Sequence, residues 1–77
     1  MGTMLCDIWP GTRAVVTEIP DTNPLKSRLR QFGLVQGTKL CCRFLSPGGD
    51  LAALELRGTV IAVRRKDLSG IMVRRCL

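Results

Sequence analysis

The stretch Leu25 to Gly37, LKSRLRQFGLVQG, reads as a helix with start and stop signals close together, and strand-like runs lie on both sides of it. Leu25, Leu29 and Phe32 are spaced four and three apart, so one face of a helix holds all of them. Asn23 suits a cap, because its side-chain oxygen can accept a free backbone N–H. Pro24 suits the first helical position, where a missing N–H costs nothing. Gly33 follows the last apolar residue and can take the left-handed turn that ends a helix. Leu34 and Val35 then return toward a core, and Gln36-Gly37 turn the chain into a strand. An apolar stripe this narrow needs a sheet to lie on, so the other segments must supply one.

They read as strands. Met4 to Ile8 fits a short strand or edge arm. Thr12 to Ile19 is rich in β-branched residues, with Ala14 and Val16 on one face and Ile19 out of phase, which predicts a bulge or the strand's end. In Thr38 to Leu45, alternation puts Leu40, Cys42 and Phe44 inward and Lys39, Cys41 and Arg43 outward. SPGGD (Ser46 to Asp50) is a turn by composition. In the return strand Leu51 to Arg57, Ala52, Leu54 and Leu56 face in, while Ala53, Glu55 and Arg57 face out. Gly58 gives a tight second turn. Thr59 to Val63, TVIAV, is apolar enough to predict a central strand. Arg64 to Gly70 is a basic connection with Leu68 pinned inside, and Ile71 to Arg75 closes the set. Short strands at close spacing, glycine at the corners and one helix predict a mainly β fold: a small barrel of about five strands with one short inserted helix.

With 77 residues the chain holds one domain, spanning 1–77, and its core must be thin. Apolar residues make up 45% of it, which suits a folded domain. No leader-like basic and apolar run opens the sequence, and no stretch approaches the roughly 20 apolar residues of a membrane span. A cytoplasmic protein with reduced thiols is expected.

Twelve Lys and Arg against six acids leave a formal charge of +6, which favours an acidic partner. The basic residues fall into groups. Lys26 and Arg30 flank one side of the helix stripe and Arg28 the other; Arg64, Arg65 and Lys66 follow, joined by Arg74 and Arg75. These are candidates for docking an acidic protein; a solvated face that keeps a small protein soluble is the plainer reading. Nucleic acid is disfavoured, because Trp9, Phe32 and Phe44 are the only aromatic residues and stacking platforms need exposed rings.

The sequence has no histidine, so no histidine base or triad is available. No two of its carboxylates share an apolar setting, and no phosphate-binding glycine motif occurs. No catalytic residue, cofactor or small-molecule substrate is assigned. The cysteines Cys6, Cys41, Cys42 and Cys76 contain no C-x-x-C, and neighbours in a strand point to opposite faces, so no metal ligand is assigned. Cys6 and Cys76 lie near the two ends, where paired edge strands would let them meet as a metal or redox sensor.

The run RLRQFGLVQGTKL (Arg28 to Leu40) resembles the signature of the ferrous iron transport protein A (FeoA) family: a short helix ending in R-L-x-x-x-G-L, then x-x-G-T and a strand. Arg28, Leu29, Gly33, Leu34, Gly37 and Thr38 occupy those positions. Gly11, Ala14, Val16 and Ile19 match the family's first strand. Pro47 to Asp50, Leu54, Leu56, Arg57-Gly58 and Val60 to Arg65 resemble its hairpin and next strand, and Ile71 and Val73 its last. The likeness runs over roughly residues 5 to 75. Ser69-Gly70 departs from it, where the family more often carries a helix-like turn with alanine, and the cysteines lie outside the pattern.

The resemblance implies an SH3-like β-barrel and an accessory protein that binds and modulates the cytoplasmic G-protein domain of the ferrous iron permease. Membrane association would then come only through that partner. The family offers no catalytic or iron-ligating residue to carry over. Leu25, Leu29, Phe32, Gly33, Leu34 and Gly37 are the expected structural residues of this chain; from the helical spacing, Leu25, Leu29 and Phe32 are expected to plug the barrel's open side. Exposed barrel edges leave room for weak self-association.

Overall fold

Alternation along β2 (Arg13–Glu18) buries Ala14 and Val16 and sets the inner face of a six-stranded antiparallel sheet. The computed structural model describes residues 3–23 and 25–76. Its strands are β1 (Thr3–Met4), β2, β3 (Lys39–Leu45), β4 (Leu51–Leu56), β5 (Thr59–Arg64) and β6 (Met72–Cys76). They follow the order β1-β6-β2-β3-β4-β5, so the first and last strands pair with each other and the ladder ends on β5. This is one strand more than the sequence suggests, because β1 is a two-residue arm. Leu5–Asp7, Pro47–Gly49 and Arg65–Leu68 form single 3-10 turns at the connections. Leu5, Leu34, Leu54, Leu68, Ile71 and Val73 are the centre of the core.

The helix α1 spans Lys26–Gln31. Its N-cap is Leu25, without a side-chain cap bond, so the cap expected at Asn23 is corrected. Asn23 instead makes an Asx turn just before the helix, its side-chain oxygen accepting the Leu25 N–H at 2.8 Å. Pro24 lies outside the described residues. Leu29 is 2% exposed and Leu25 packs against the core, but Phe32 is 45% exposed. The expected three-residue plug is therefore corrected. The reason is the helix end. Gly33 N–H bonds the Arg30 carbonyl (2.9 Å) and Leu34 N–H bonds the Leu29 carbonyl (2.9 Å), a Schellman motif. That motif brings Leu34 back to Leu29, so Leu34 fills the core and Phe32 is left on the rim. Gly33 sits at φ +90°, and a Cβ there would lie 2.9 Å from Cδ of Arg57. Thr38 then locks the loop: its hydroxyl donates to the Gly33 carbonyl (2.7 Å) and accepts from Val35 N–H (3.2 Å).

Three further expectations change. Phe44 is 60% exposed rather than inward. Between Cys42↔Leu54 and Phe44↔Ala53 the register shifts, a β-bulge that adds one residue to β3 and reverses its phase. Ala53, expected outside, is buried opposite that ring. The apolar β5 is the sheet's edge, not its centre, with Val60 54% exposed. The bulge expected near Ile19 is present, between Val16 and Glu18 against β6. Leu68 is fully buried, as the isolated leucine in a basic loop suggests.

Candidate functional site

Sheet register decides which basic side chains become neighbours. Val15 of β2 pairs with Arg74 on one side and Lys39 on the other; Arg13 pairs with Cys76 and with Cys41. Residues paired across strands share a face, so Arg74, Lys39 and Arg13 stand together on the outer face of β6, β2 and β3. Arg43 and Arg57 extend this face around a cleft of about 420 Å3. Glu55 borders it and is paired with Arg43 at 3.3 Å. Of these, the sequence singles out Arg74 alone. Alternation marks Arg13 and Lys39 as outward, but no local signal says that β2 lies between β3 and β6.

The predicted docking residues do not form one patch. Lys26 is engaged by Asp21, whose carboxyl the Lys26 hydrogen bond and charge hold below its ordinary range. Arg30 lies with Lys26 beside Gln36, on one flank of α1. Arg28 lies on the other flank, facing Arg64 across a groove. Arg64 and Lys66 are exposed at the end of β5 and the turn after it.

Arg65 is different in kind. Its Nε and Nη2 both donate to the Cys6 carbonyl, at 3.0 and 2.6 Å, and its Nη1 donates to the Gly49 carbonyl at 3.3 Å. The guanidinium ties the turn after β1 and the β3–β4 turn to the β5–β6 connection. It is a clamp, spent on the fold, where the sequence reads it as a docking base.

The cysteines do not gather. β1 pairs Met4 with Met72, so Cys6 and Cys76 run apart from that point in opposite directions. Cys76 stands in one row with Cys41, separated by Arg13 and thus by about twice the 4.8 Å strand spacing, too far for a disulfide. Cys42 is buried, and desolvation, with a smaller contribution from Cys41, pushes its thiol up. Burial, then the Asp7 charge, does the same to Cys6. Among the described residues no three Cys, Asp or Glu side chains are grouped to hold a metal ion. No helix among them is long and apolar enough to cross a membrane.

A single antiparallel ladder curled around a leucine core, with a short helix packed on it and an outward basic face, defines a small SH3-like barrel. A family profile described as the FeoA domain matches residues 3–75. The chain belongs to the FeoA family, that of ferrous iron transport protein A. Solved structures agree. A FeoA-like protein from Clostridium acetobutylicum superposes with a TM-score of 0.89 at 26% identity, over 99% of this chain and 88% of that one. FeoA from Chlorobium tepidum gives 0.88 at 31% identity, over 97% and 71%. FeoA from Stenotrophomonas maltophilia, solved with zinc and described as an SH3 domain protein linked to activating ferrous iron transport, gives 0.76 at 24% identity, over 94% and 89%. Among curated protein sequences none matches this chain.

Proposed function

We propose that this domain is a small cytoplasmic accessory factor of ferrous iron uptake that works by protein contact with the G-protein domain of the iron(II) permease. Family membership supports the iron-uptake context. The observation that carries the contact reading is the sheet face where Arg13, Lys39 and Arg74 meet with no acid in their own rows except Glu55, which Arg43 engages. Such a face steers and orients an acidic partner. Its residues hold no arrangement for bond making, so binding is the action proposed. Isothermal titration against the purified permease G-domain, with and without guanine nucleotide, tests the reading. Lys39→Glu with Arg74→Glu should weaken binding at least about tenfold, and more so at low salt. No binding by the unaltered protein in either nucleotide state overturns it.

Nucleic acid gains one observation. The rings argued as too few are all exposed: Trp9 at 72%, with Phe32 and Phe44. The Gly11 N–H to Cys42 carbonyl bond extends the β2–β3 ladder and sets Trp9 at the same end of β3 as Phe44. Titration with single-stranded RNA and DNA at low salt decides this second reading; undetectable affinity removes it.

A further inference from the structure

The end strand of the ladder has one unpaired side, and α1 lies alongside it. Arg57-Gly58 form a two-residue turn between Leu56↔Thr59, so Thr59 begins the hydrogen-bonded phase against β4. Arg65 N–H donates to the Asp50 carbonyl (2.8 Å) in that same phase. Thr59, Ile61 and Val63 therefore bond β4, while Val60, Ala62 and Arg64 turn their N–H and C=O groups to the free edge. All three are exposed.

Across from this edge is the helix. Ile61 through Arg64 form one wall of a groove of about 360 Å3, and Leu25, Arg28 and Phe32 form the other. That four consecutive strand residues line one groove means the backbone edge, not one side-chain face, looks into it. The ends are defined. At one, Asn23 donates to the Asp67 carbonyl (3.0 Å); at the other, Gly33 packs on Arg57. Apolar surface from Phe32 and Ala62 sits near the second end. Arg28 and Arg64 sit near the first, against the one carboxylate of Asp67, which leaves a net positive rim.

We propose that this groove takes an extended peptide segment of another protein, with alternating apolar and acidic residues, which adds as a strand to the free edge of β5. Main-chain bonds to Val60, Ala62 and Arg64 hold it, an apolar side chain covers Phe32, and a carboxylate meets Arg28 and Arg64. The inference does not rest on the iron-uptake reading. Its substitutions lie in β5 and α1, away from the strands of Lys39 and Arg74, so either can fail alone.

The experiment is an NMR titration of the full chain with an N-acetylated, C-amidated hexapeptide of alternating valine and glutamate. The amides of Val60, Ala62 and Arg64 should shift, and exchange at Ala62 should slow. Ala62→Pro removes the central free donor without touching the β4 ladder and should abolish binding. Should that variant lose its dispersed spectrum, Arg28→Glu, at an exposed helix position, gives the reading instead: affinity at least about tenfold weaker. A valine–lysine hexapeptide should leave the spectrum unchanged. Binding that leaves the β5 amides unmoved, or no binding at low-millimolar peptide, overturns the proposal. So do concentration-dependent shifts of the same amides without peptide, which would make a second copy of this chain the occupant.

Discussion

Replacing Arg65 by alanine should be the most damaging change available among the basic residues. Its guanidinium makes three hydrogen bonds, two to the Cys6 carbonyl and one to that of Gly49. Bonds with a charged donor contribute about 1.5–3 kcal/mol when buried. Arg65 is half-buried, so roughly 1 kcal/mol each, or about 3 kcal/mol together, is the reasonable scale. A chain of 77 residues has about 4–12 kcal/mol of total stability, so this is a large fraction. At 4–8 °C per kcal/mol, Tm should fall by about 10–25 °C. Arg64→Ala and Lys66→Ala, at exposed neighbours, should each stay within about 0.5 kcal/mol of the parent. Urea and thermal unfolding followed by circular dichroism make the comparison. Hydrogen exchange at Leu5, whose N–H bonds the Ile71 carbonyl at 2.7 Å, localises it, because the clamp holds the adjoining turn. If Arg65→Ala unfolds within about 0.5 kcal/mol of Arg64→Ala, the clamp reasoning is wrong and Arg65 is a surface base like its neighbours.

Other outcomes follow from the same geometry. Leu29→Ala should cost about 3–4 kcal/mol in chemical denaturation and Phe32→Ala less than half of that, the reverse of a ranking by ring size. Thr38→Val should cost about 1–3 kcal/mol by leaving the Val35 N–H and Gly33 carbonyl without their partner, and Thr38→Ser should largely restore it. Asp21 has its folded pKa lowered by Lys26, so its contribution is present above the unfolded carboxyl pKa and lost as pH falls through the folded one; Asp21→Asn should flatten the acid limb of a Tm–pH profile. Thiol titration should label exposed Cys76 first and Cys42 only on unfolding; a Cys42 that reacts as fast as Cys76 would contradict its burial.

The readable parts of the fold are those governed by local chemistry. The Asn23 turn and Gly33 bracket α1 because such signals depend on neighbours a few residues away, and Leu68 is buried because a lone apolar residue in polar company has few other fates. Alternation misplaces Phe44 because a bulge reverses it without a residue type that announces it. Helical spacing misplaces Phe32 because it marks a face but not where the helix stops facing the core. β5 reads as central because Val60 and Ala62 are apolar, yet composition does not say which strand lies last in the ladder. For the candidate surface, Arg13 and Lys39 became visible only through pairing across β2, a contact between residues far apart in sequence. Arg65 beside Arg64 and Lys66 reads as one basic run; only the direction of its side chain separates a tie from a handle.

The loop that Gly33 and Thr38 lock has a bearing on how relatives are read. The Thr38 hydroxyl and the Gly33 backbone are spent joining the helix to the next strand, and the Thr38 carbonyl accepts the Val16 N–H of β2. The motif by which such chains are recognised is thus a certificate of shape. In this chain the outward side chains of β2, β3 and β6 take no part in that lock, so they can be exchanged while the motif stays whole.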